Sequence, residues 1–328
     1  MSGLRVVLLA VAICGVLAIG ERAASGAGAE SDGSDSPQPE RPTARGRDVS
    51  EVDAFLGTRR STRIAQIIPD HAHACLPSGG GSRTTDTQRS IAAVTGVVAE
   101  SPLGAWLLAE AAGRLVLICQ DPNTDLAAYY RSQMRLIGLF DRLADPARIM
   151  FLAHELAHVP QHPRYSNDLR FGPEAMLVLH RMREAAAEAV ATRVLWQLRV
   201  RGLGEPWQYK LASAYGDIAQ AFARAMHGSG ELAELRATRA AFDQWFGRSG
   251  RVHSYDARIL AHIARGGRPS LARPTRHLTE EFVLGIGSYG GVNFLPAGAS
   301  PVLADPYYAR GLSPDNAAQL DELLEQVR

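Results

Sequence analysis

Five consecutive residues, His154-Glu155-Leu156-Ala157-His158, combine two imidazoles with a carboxylate at a spacing that suits an α-helix. Side chains four residues apart lie on the same helix face, so both imidazoles can reach one metal ion. Neutral imidazoles bind Zn²⁺ without cancelling its charge, and the adjacent Glu155 can accept a proton from a water that the metal acidifies. The pattern predicts one zinc ion per chain, with Glu155 as general base.

Two histidines and a water leave room for one further protein ligand. Glu184 and Glu188 lie four residues apart in an alanine-rich stretch, which favours close approach to another backbone over a fully solvated helix face. Glu184 is the preferred third ligand, and Glu188 is predicted to accept the N–H of a ligating histidine; the reverse assignment stays open. His180 precedes Glu184 by one turn, and we interpret it as a buried, hydrogen-bonded histidine.

The helices that must carry these residues have recognisable start and stop signals. Asp145-Pro146 predicts a helix start, because aspartate caps free N–H groups and proline fits the first turn, and Pro160 is expected to end or kink that helix. Gly172-Pro173-Glu174 opens a second helix of about 27 residues, since no breaker precedes Gly202. A loop over residues 163–172 is expected between them.

Other elements follow from composition and breaking residues. Residues 86–113 are alanine-rich and interrupted at Ser101-Pro102, which predicts two short helices. β-Branched and aromatic residues predict one strand over 114–119 and a second over 127–140. Helical segments are expected near 207–227, 231–246 and 255–265.

The order of motifs resembles a known group of enzymes. His154-Glu155-x-x-His158 is followed 26 residues later by Glu184-x-x-Ala187-Glu188 on a second predicted helix, and this resembles the gluzincin zinc metallopeptidases. Residues 127–204 are more narrowly similar to bacterial metallopeptidase domains of unknown function. The resemblance implies peptide-bond hydrolysis with Glu155 as base. It also implies that strand 127–140 pairs with extended peptide or protein substrate.

Two features depart from related patterns. The gluzincins usually have aspartate where this chain has Glu188. The resemblance therefore does not predict how the longer Glu188 side chain meets the histidine N–H. The metzincin pattern, which needs glycine and a third histidine, fits worse because Gln161 and Arg164 stand there. We interpret His162 as a loop or rim histidine.

The expected fold is α+β and predominantly helical. A zincin-like core over 49–204 would contain short antiparallel strands, the active-site helix and the glutamate-bearing helix. A mainly helical extension would occupy residues 205–328.

The N-terminal residues have the order of a secretory signal. Arg5 precedes an apolar run of about 15 residues, shorter than the roughly 20 that span a bilayer, and cleavage is expected after Ala29. Residues 30–48 are rich in Ser, Pro, Gly and charge, which predicts a disordered linker. We expect a periplasmic or extracellular protein, anchored in the membrane only if residues 1–29 are retained. Cys75 and Cys119 then predict one disulfide, with two free thiols as the alternative.

Charge argues against several partners. The formal net charge is +1 and basic residues are interleaved with acids, so nucleic acid is not expected. Lys210 is the only lysine, and we assign it no function.

Gly285-Ile-Gly287-Ser-Tyr-Gly290 matches a dinucleotide-binding pattern, but Pro296 and Pro301 follow instead of a helix, so no nucleotide is expected. His71-Ala-His73-Ala-Cys75 is interpreted as a loop.

Two other functions compete with peptide hydrolysis. One is a non-catalytic cell-envelope scaffold or binding protein that retains a zincin-like fold; the other is metal-assisted hydrolysis of a non-peptide amide. Glu155 favours the enzyme, because a purely structural site needs no general base and closes with a fourth protein ligand. Oxyanion stabilisation requires a further donor, for which His253, Tyr255 and Tyr289 are candidates by type.

Overall fold

The computed structural model describes residues 51–161, 171–266, 277–295 and 302–326. The predicted signal and linker, His162 and most of the predicted loop at 163–172 lie outside these ranges.

The described part is predominantly helical, with a small mixed sheet and a two-stranded hairpin. The helices are α1 Glu51–Leu56, α2 Thr58–Ala65, α3 His71–Ala74, α4 Asp86–Ala99, α5 Pro102–Gly113, α6 Asp145–Gln161, α7 Pro173–Val200, α8 Glu205–Ala212, α9 Gly216–Ala225, α10 Glu231–Trp245, α11 Ser249–Gly266, α12 Glu280–Leu284, α13 Pro306–Ala309 and α14 Pro314–Glu325. The strands are β1 Cys75–Pro77, β2 Leu117–Asp121, β3 Ala128–Arg131, β4 Leu136–Phe140, β5 Ser288–Tyr289 and β6 Val292–Asn293.

The two helices predicted over 86–113 are confirmed as α4 and α5. Thr85 caps α4 through a reciprocal capping box with Gln88. Ser101 caps α5 by accepting the Gly104 N–H, and Pro102 occupies the first turn. The Ser101-Pro102 interruption therefore acts as a new helix start.

The sheet has the order β1-β2-β4-β3 and differs from the expected one in two respects. Residues 127–140 form two strands, because a short 3₁₀ turn over Ser132–Met134 and a left-handed Arg135 reverse the chain. The prediction of one strand there is wrong. The hairpin inserts β4 beside β2 in parallel, so the sheet is mixed, whereas wholly antiparallel strands were expected.

Alternate residues of the sheet enter two different apolar clusters. Ile118 and Ile137 face the main core, whereas Leu117 and Leu136 face a smaller cluster that includes residues of α1 and α2. This alternation follows from the two-residue period of a strand. The sheet is therefore covered on both faces, and the main core on one face includes α6.

A disulfide joins Cys75 of β1 to Cys119 of β2. The two residues lie directly opposite each other in the antiparallel register, so the covalent link and the strand pairing support each other. The sulfur atoms are buried in the smaller cluster, which links the N-terminal helices to the sheet.

We expect the double substitution Cys75→Ala/Cys119→Ala to lower the free energy of unfolding by about 2–5 kcal/mol, because the disulfide constrains the unfolded chain. Chemical denaturation of the oxidised protein and of the variant measures this difference. A reductant should destabilise the wild type and leave the variant unchanged. Equal stability of the two proteins would contradict the prediction.

Helices α6 and α7 pack against each other in the centre of the main core. Both start as predicted, and α7 contains 28 residues. Pro160 lies inside α6, which ends at Gln161. Alanines 185, 186, 187, 189 and 191 of α7 are fully buried, and their small side chains let the two helices approach closely.

The chain beyond α7 is also largely helical. The segment predicted near 207–227 is two helices, α8 and α9, separated at Ser213, and the last predicted helix starts earlier, at Ser249. Trp207 and Trp245 are buried in the core, as expected for tryptophans in helices, and Trp196 packs against Trp207. Within the described ranges, no helix combines the length and apolarity needed to cross a membrane.

Candidate metal centre

Helix α6 presents His154 and His158 on one face, one turn apart. Their rings meet edge to face, with centroids 4.9 Å apart. The two Nε2 atoms are 3.1 Å apart, and His154 is buried. The four-residue spacing therefore directs both imidazoles to one point, as the sequence predicted.

Helix α7 brings Glu184 to the same point. Its Oε2 lies 3.4 Å from His154 Nε2, and its Oε1 lies 3.6 Å from His158 Nε2. The carboxylate is buried, and Oε2 makes no hydrogen bond among the described residues. A buried carboxylate oxygen without a donor is costly, unless a cation faces it.

These separations fit a metal ion of zinc's size. Tetrahedral bonds of 2.0–2.1 Å from zinc place ligand atoms about 3.4 Å from one another. The two Nε2 atoms are 3.1 Å apart, and each lies 3.4 to 3.6 Å from its nearer Glu184 oxygen, Oε2 for His154 and Oε1 for His158. Two imidazole nitrogens and one carboxylate oxygen also form the donor set of catalytic zinc sites with one open position. In the described part of the chain, this trio is the one group of three or more His, Cys, Asp or Glu residues close enough together to hold a metal ion.

On the side away from Glu184, His154 contacts Glu188, which also pairs with Lys210. Glu188 Oε2 accepts the His154 Nδ1–H at 2.9 Å, and Glu188 Oε1 pairs with the Lys210 ammonium. Burial acts to raise the pKa of Glu188, but Lys210 and His154 outweigh it and hold that pKa well below its usual range. Glu188 is therefore ionised and accepts from the ring, and its length lets it reach both partners.

His158 is oriented by Gln161, one turn later on α6. Gln161 Nε2 donates to the Arg183 carbonyl and to the Tyr289 hydroxyl, at 3.2 and 2.7 Å, so its Oε1 faces His158 Nδ1 at 3.0 Å as an acceptor. Tyr289 in turn donates to the Ala157 carbonyl at 3.1 Å. These partners fix the amide orientation and make His158 Nδ1 a donor.

The hydrogen-bond acceptors at the two Nδ1 atoms determine which form of each Nε2 atom faces the candidate metal position. Because each Nδ1 carries a hydrogen, each neutral ring presents an Nε2 lone pair, a tautomer assigned here from its partners. Two lone pairs 3.1 Å apart, with the Glu184 carboxylate beside them, need a positive charge between them. The residues therefore fit a bound metal ion.

The predicted site residues occupy different positions around the centre. It brings together His154, His158 and Glu184, and it places Glu188 behind His154. Glu155 is buried on α6 beside His154. His180 is half-buried on α7 and does not belong to the metal-binding group of the described residues.

Sequence reasoning missed three residues that join the hydrogen-bond network around the two histidines: Lys210, Gln161 and Tyr289. Lys210 carries one available signal, because it is the only lysine in the chain. Gln161 stands three residues after His158, a spacing at which helical side chains meet. Tyr289 comes from β5, and no local pattern connects it to α6.

Two of the three candidate oxyanion donors, Tyr255 and Tyr289, have hydroxyls that contact other residues. The Tyr289 hydroxyl donates to Ala157, as described above. The hydroxyls of Tyr255 and Tyr215 lie 3.1 Å apart, and the His253 carbonyl accepts from Asn316. The oxyanion donor stays unassigned.

The weaker sequence motifs have structural explanations. The loop interpretation of residues 71–75 is wrong, because α3 and β1 occupy them. His71 Nε2 contacts both Asp53 and Ser61, at 2.8 and 2.9 Å. A catalytic Ser-His-Asp relay uses both ring nitrogens, so this cluster is not such a triad. Residues 285–287 form a 3₁₀ turn followed by β5.

We expect Gln161→Leu to weaken zinc binding by about 10- to 100-fold, the usual loss when the partner of a ligating histidine is removed. Leucine fills a similar volume but cannot accept the His158 N–H. Competition with a chromophoric chelator measures the affinity. Tyr289→Phe is the matched control, since it leaves the bond from Gln161 to His158 in place and should cost less. An affinity within twofold of wild type for Gln161→Leu would contradict the assigned orientation.

Fold and site together define a predominantly helical protein with a buried centre of two imidazoles and one carboxylate. Residues 69–292 match the model of the putative metallopeptidase family (DUF6782), so the chain belongs to that family. Membership implies a bound metal and hydrolysis of peptide bonds. No curated protein and no solved structure gives a significant match to the chain.

Proposed function

We propose that this chain is a single-zinc metallopeptidase of the gluzincin type with a zincin-like core. The observation that carries the proposal is the convergence of two His Nε2 atoms and the Glu184 carboxylate within 3.1–3.6 Å. Zinc would be held by His154, His158 and Glu184. A zinc ion in such a site supplies a Lewis acid that lowers the pKa of water towards neutrality and polarises a carbonyl.

The protein's own residues would carry the proton and orient the centre. Glu155 would accept a proton from the attacking water and pass it to the leaving amine. Glu188 and Gln161 hold the two imidazoles in the tautomer that directs each Nε2 lone pair towards the metal position. Glu155 is therefore the group whose loss should stop the reaction without removing the ligands.

The substrate is proposed to be an extended peptide bound at an edge of the sheet. β3 is an outer strand and packs near α6, whereas β4 is internal and already paired on both sides. An extended chain adds to a sheet through main-chain hydrogen bonds at such an edge. The proposal therefore assigns substrate pairing to Ala128–Arg131 instead of the whole of 127–140.

Export is proposed on the signal order of residues 1–29 and is supported by the disulfide between Cys75 and Cys119. Disulfides persist in oxidising compartments. The proposed organisation is a signal (1–29), a linker (30–48), a core (49–204) and an extension (205–328); Lys210 and Tyr289 reach the site from beyond residue 204. N-terminal sequencing of the exported protein tests cleavage after Ala29.

Incubation of the purified mature chain with a mixed peptide library, read by mass spectrometry, tests the proposed activity. We expect defined cleavage products that disappear on treatment with a zinc chelator and return when zinc is added. Zinc binding without any cleavage would instead favour the envelope scaffold, or an amide substrate that is not a peptide.

A further inference from the structure

Lys210 of α8 is fully buried and belongs to the hydrogen-bond network behind the metal centre. Its ammonium pairs with Glu188 Oε1, while Glu188 Oε2 accepts the His154 Nδ1–H. One carboxylate is thus divided between an ammonium and a ligating imidazole. A carboxylate held at one oxygen can rotate about its last carbon–carbon bond, so the second contact fixes the direction of its lone pair towards His154.

We propose that Lys210 is a positioning residue of the metal centre, acting through Glu188 on the orientation of His154. This inference rests on the proposed function, since it assumes that His154 binds a metal. It assigns a role in the zinc site to a residue 22 positions beyond Glu188 in the chain.

Charge balance supports the proposal. Two buried carboxylates, from Glu184 and Glu188, contact the imidazoles of the site. A divalent cation held by the imidazoles would face Glu184, and the Lys210 ammonium pairs with Glu188. Buried charges without compensation are strongly unfavourable, so the ammonium allows Glu188 to remain a charged acceptor in the core.

The residue type supports it as well. Lys210 is the only lysine in the chain, so every other Lys or Arg position is arginine. An ammonium is a compact point charge on a slim stem, whereas a guanidinium is a wide planar fork. The Lys210 Nζ atom pairs with Glu188 and lies 6.0 Å from the centroid of the Tyr215 ring. The fully buried position favours the compact cation.

Zinc affinity of the full mature chain, measured by chelator competition, tests the inference with Lys210→Met. We expect affinity to fall by about 10- to 100-fold, as for other partners that orient a ligating histidine. The matched control is Asp256→Asn, which breaks a buried ion pair between Asp256 and Arg181 of α7. It should lower the melting temperature but leave zinc affinity within about twofold. Equal zinc affinity of Lys210→Met and wild type would overturn the inference.

A second comparison separates positioning from general destabilisation. Lys210→Met combined with Glu188→Gln removes both charges together, so the double variant stays measurable if the single one does not fold. We expect it to lose no more affinity than Glu188→Gln alone, because Lys210 acts through Glu188. A further loss of tenfold or more in the double variant would overturn the inference. A wild-type chain that binds no zinc would instead overturn the proposed function, and the inference with it.

Discussion

Replacement of Glu155 by glutamine is expected to abolish peptide hydrolysis while the protein retains its metal. Glutamine has nearly the same shape but cannot accept a proton from water, and loss of a general base typically lowers kcat by about 10²- to 10⁴-fold. Glu155 is buried on α6 between the two histidines in sequence, so the substitution leaves His154, His158 and Glu184 in place. Rates of cleavage of a library-derived peptide measure the loss, and elemental mass spectrometry measures the zinc content of the same sample.

The matched control is Glu174→Gln, which makes the same chemical change at an exposed position in the first turn of α7. This variant should cleave at the wild-type rate. Full activity of Glu155→Gln would rule out Glu155 as the base. Loss of zinc together with activity would show that Glu155 supports binding instead of proton transfer.

Replacement of Glu184 by alanine is expected to reduce zinc binding more than any substitution in the supporting network. Removing the carboxylate leaves the two imidazole Nε2 atoms without the third ligand atom. Loss of a supporting partner costs about 10- to 100-fold, so loss of a direct ligand should cost more than about 100-fold. Equilibrium dialysis against buffered zinc measures the affinity, and the melting temperature of the metal-free protein reports folding.

His180→Ala is the control for Glu184→Ala, because His180 lies one turn earlier on α7 and outside the metal-binding group of the described residues. It should retain wild-type zinc content. Zinc that survives in Glu184→Ala but is lost in His180→Ala or Glu188→Ala would transfer the third ligand to that residue.

The sequence predicts most of the site because metal chemistry restricts which residues can serve and at what spacing. His154 and His158 must be four apart to share a helix face, and the alanines around Glu184 indicate a helix that packs closely. The structure shows both helices and brings Glu184 to the two Nε2 atoms. Helix periodicity was sufficient to predict these residues, because each helix contributes its residues within one or two turns.

The supporting contacts could not be predicted, because they join distant parts of the chain. Glu188 meets Lys210 through the packing of α7 with α8, and Gln161 meets Tyr289 across 128 positions. The hairpin within 127–140 was missed for a different reason. Its reversal depends on Arg135 in the left-handed region, and arginine gives no turn signal of the kind that Gly or Asn gives.

The most direct test of the proposed function is the zinc content of the purified wild-type protein, measured by elemental mass spectrometry on chain shown to be folded by its circular dichroism. The proposed site predicts one zinc ion per chain. Folded protein that contains no transition metal, and takes up none from a zinc buffer, would contradict the metallopeptidase and leave the envelope scaffold as the better explanation.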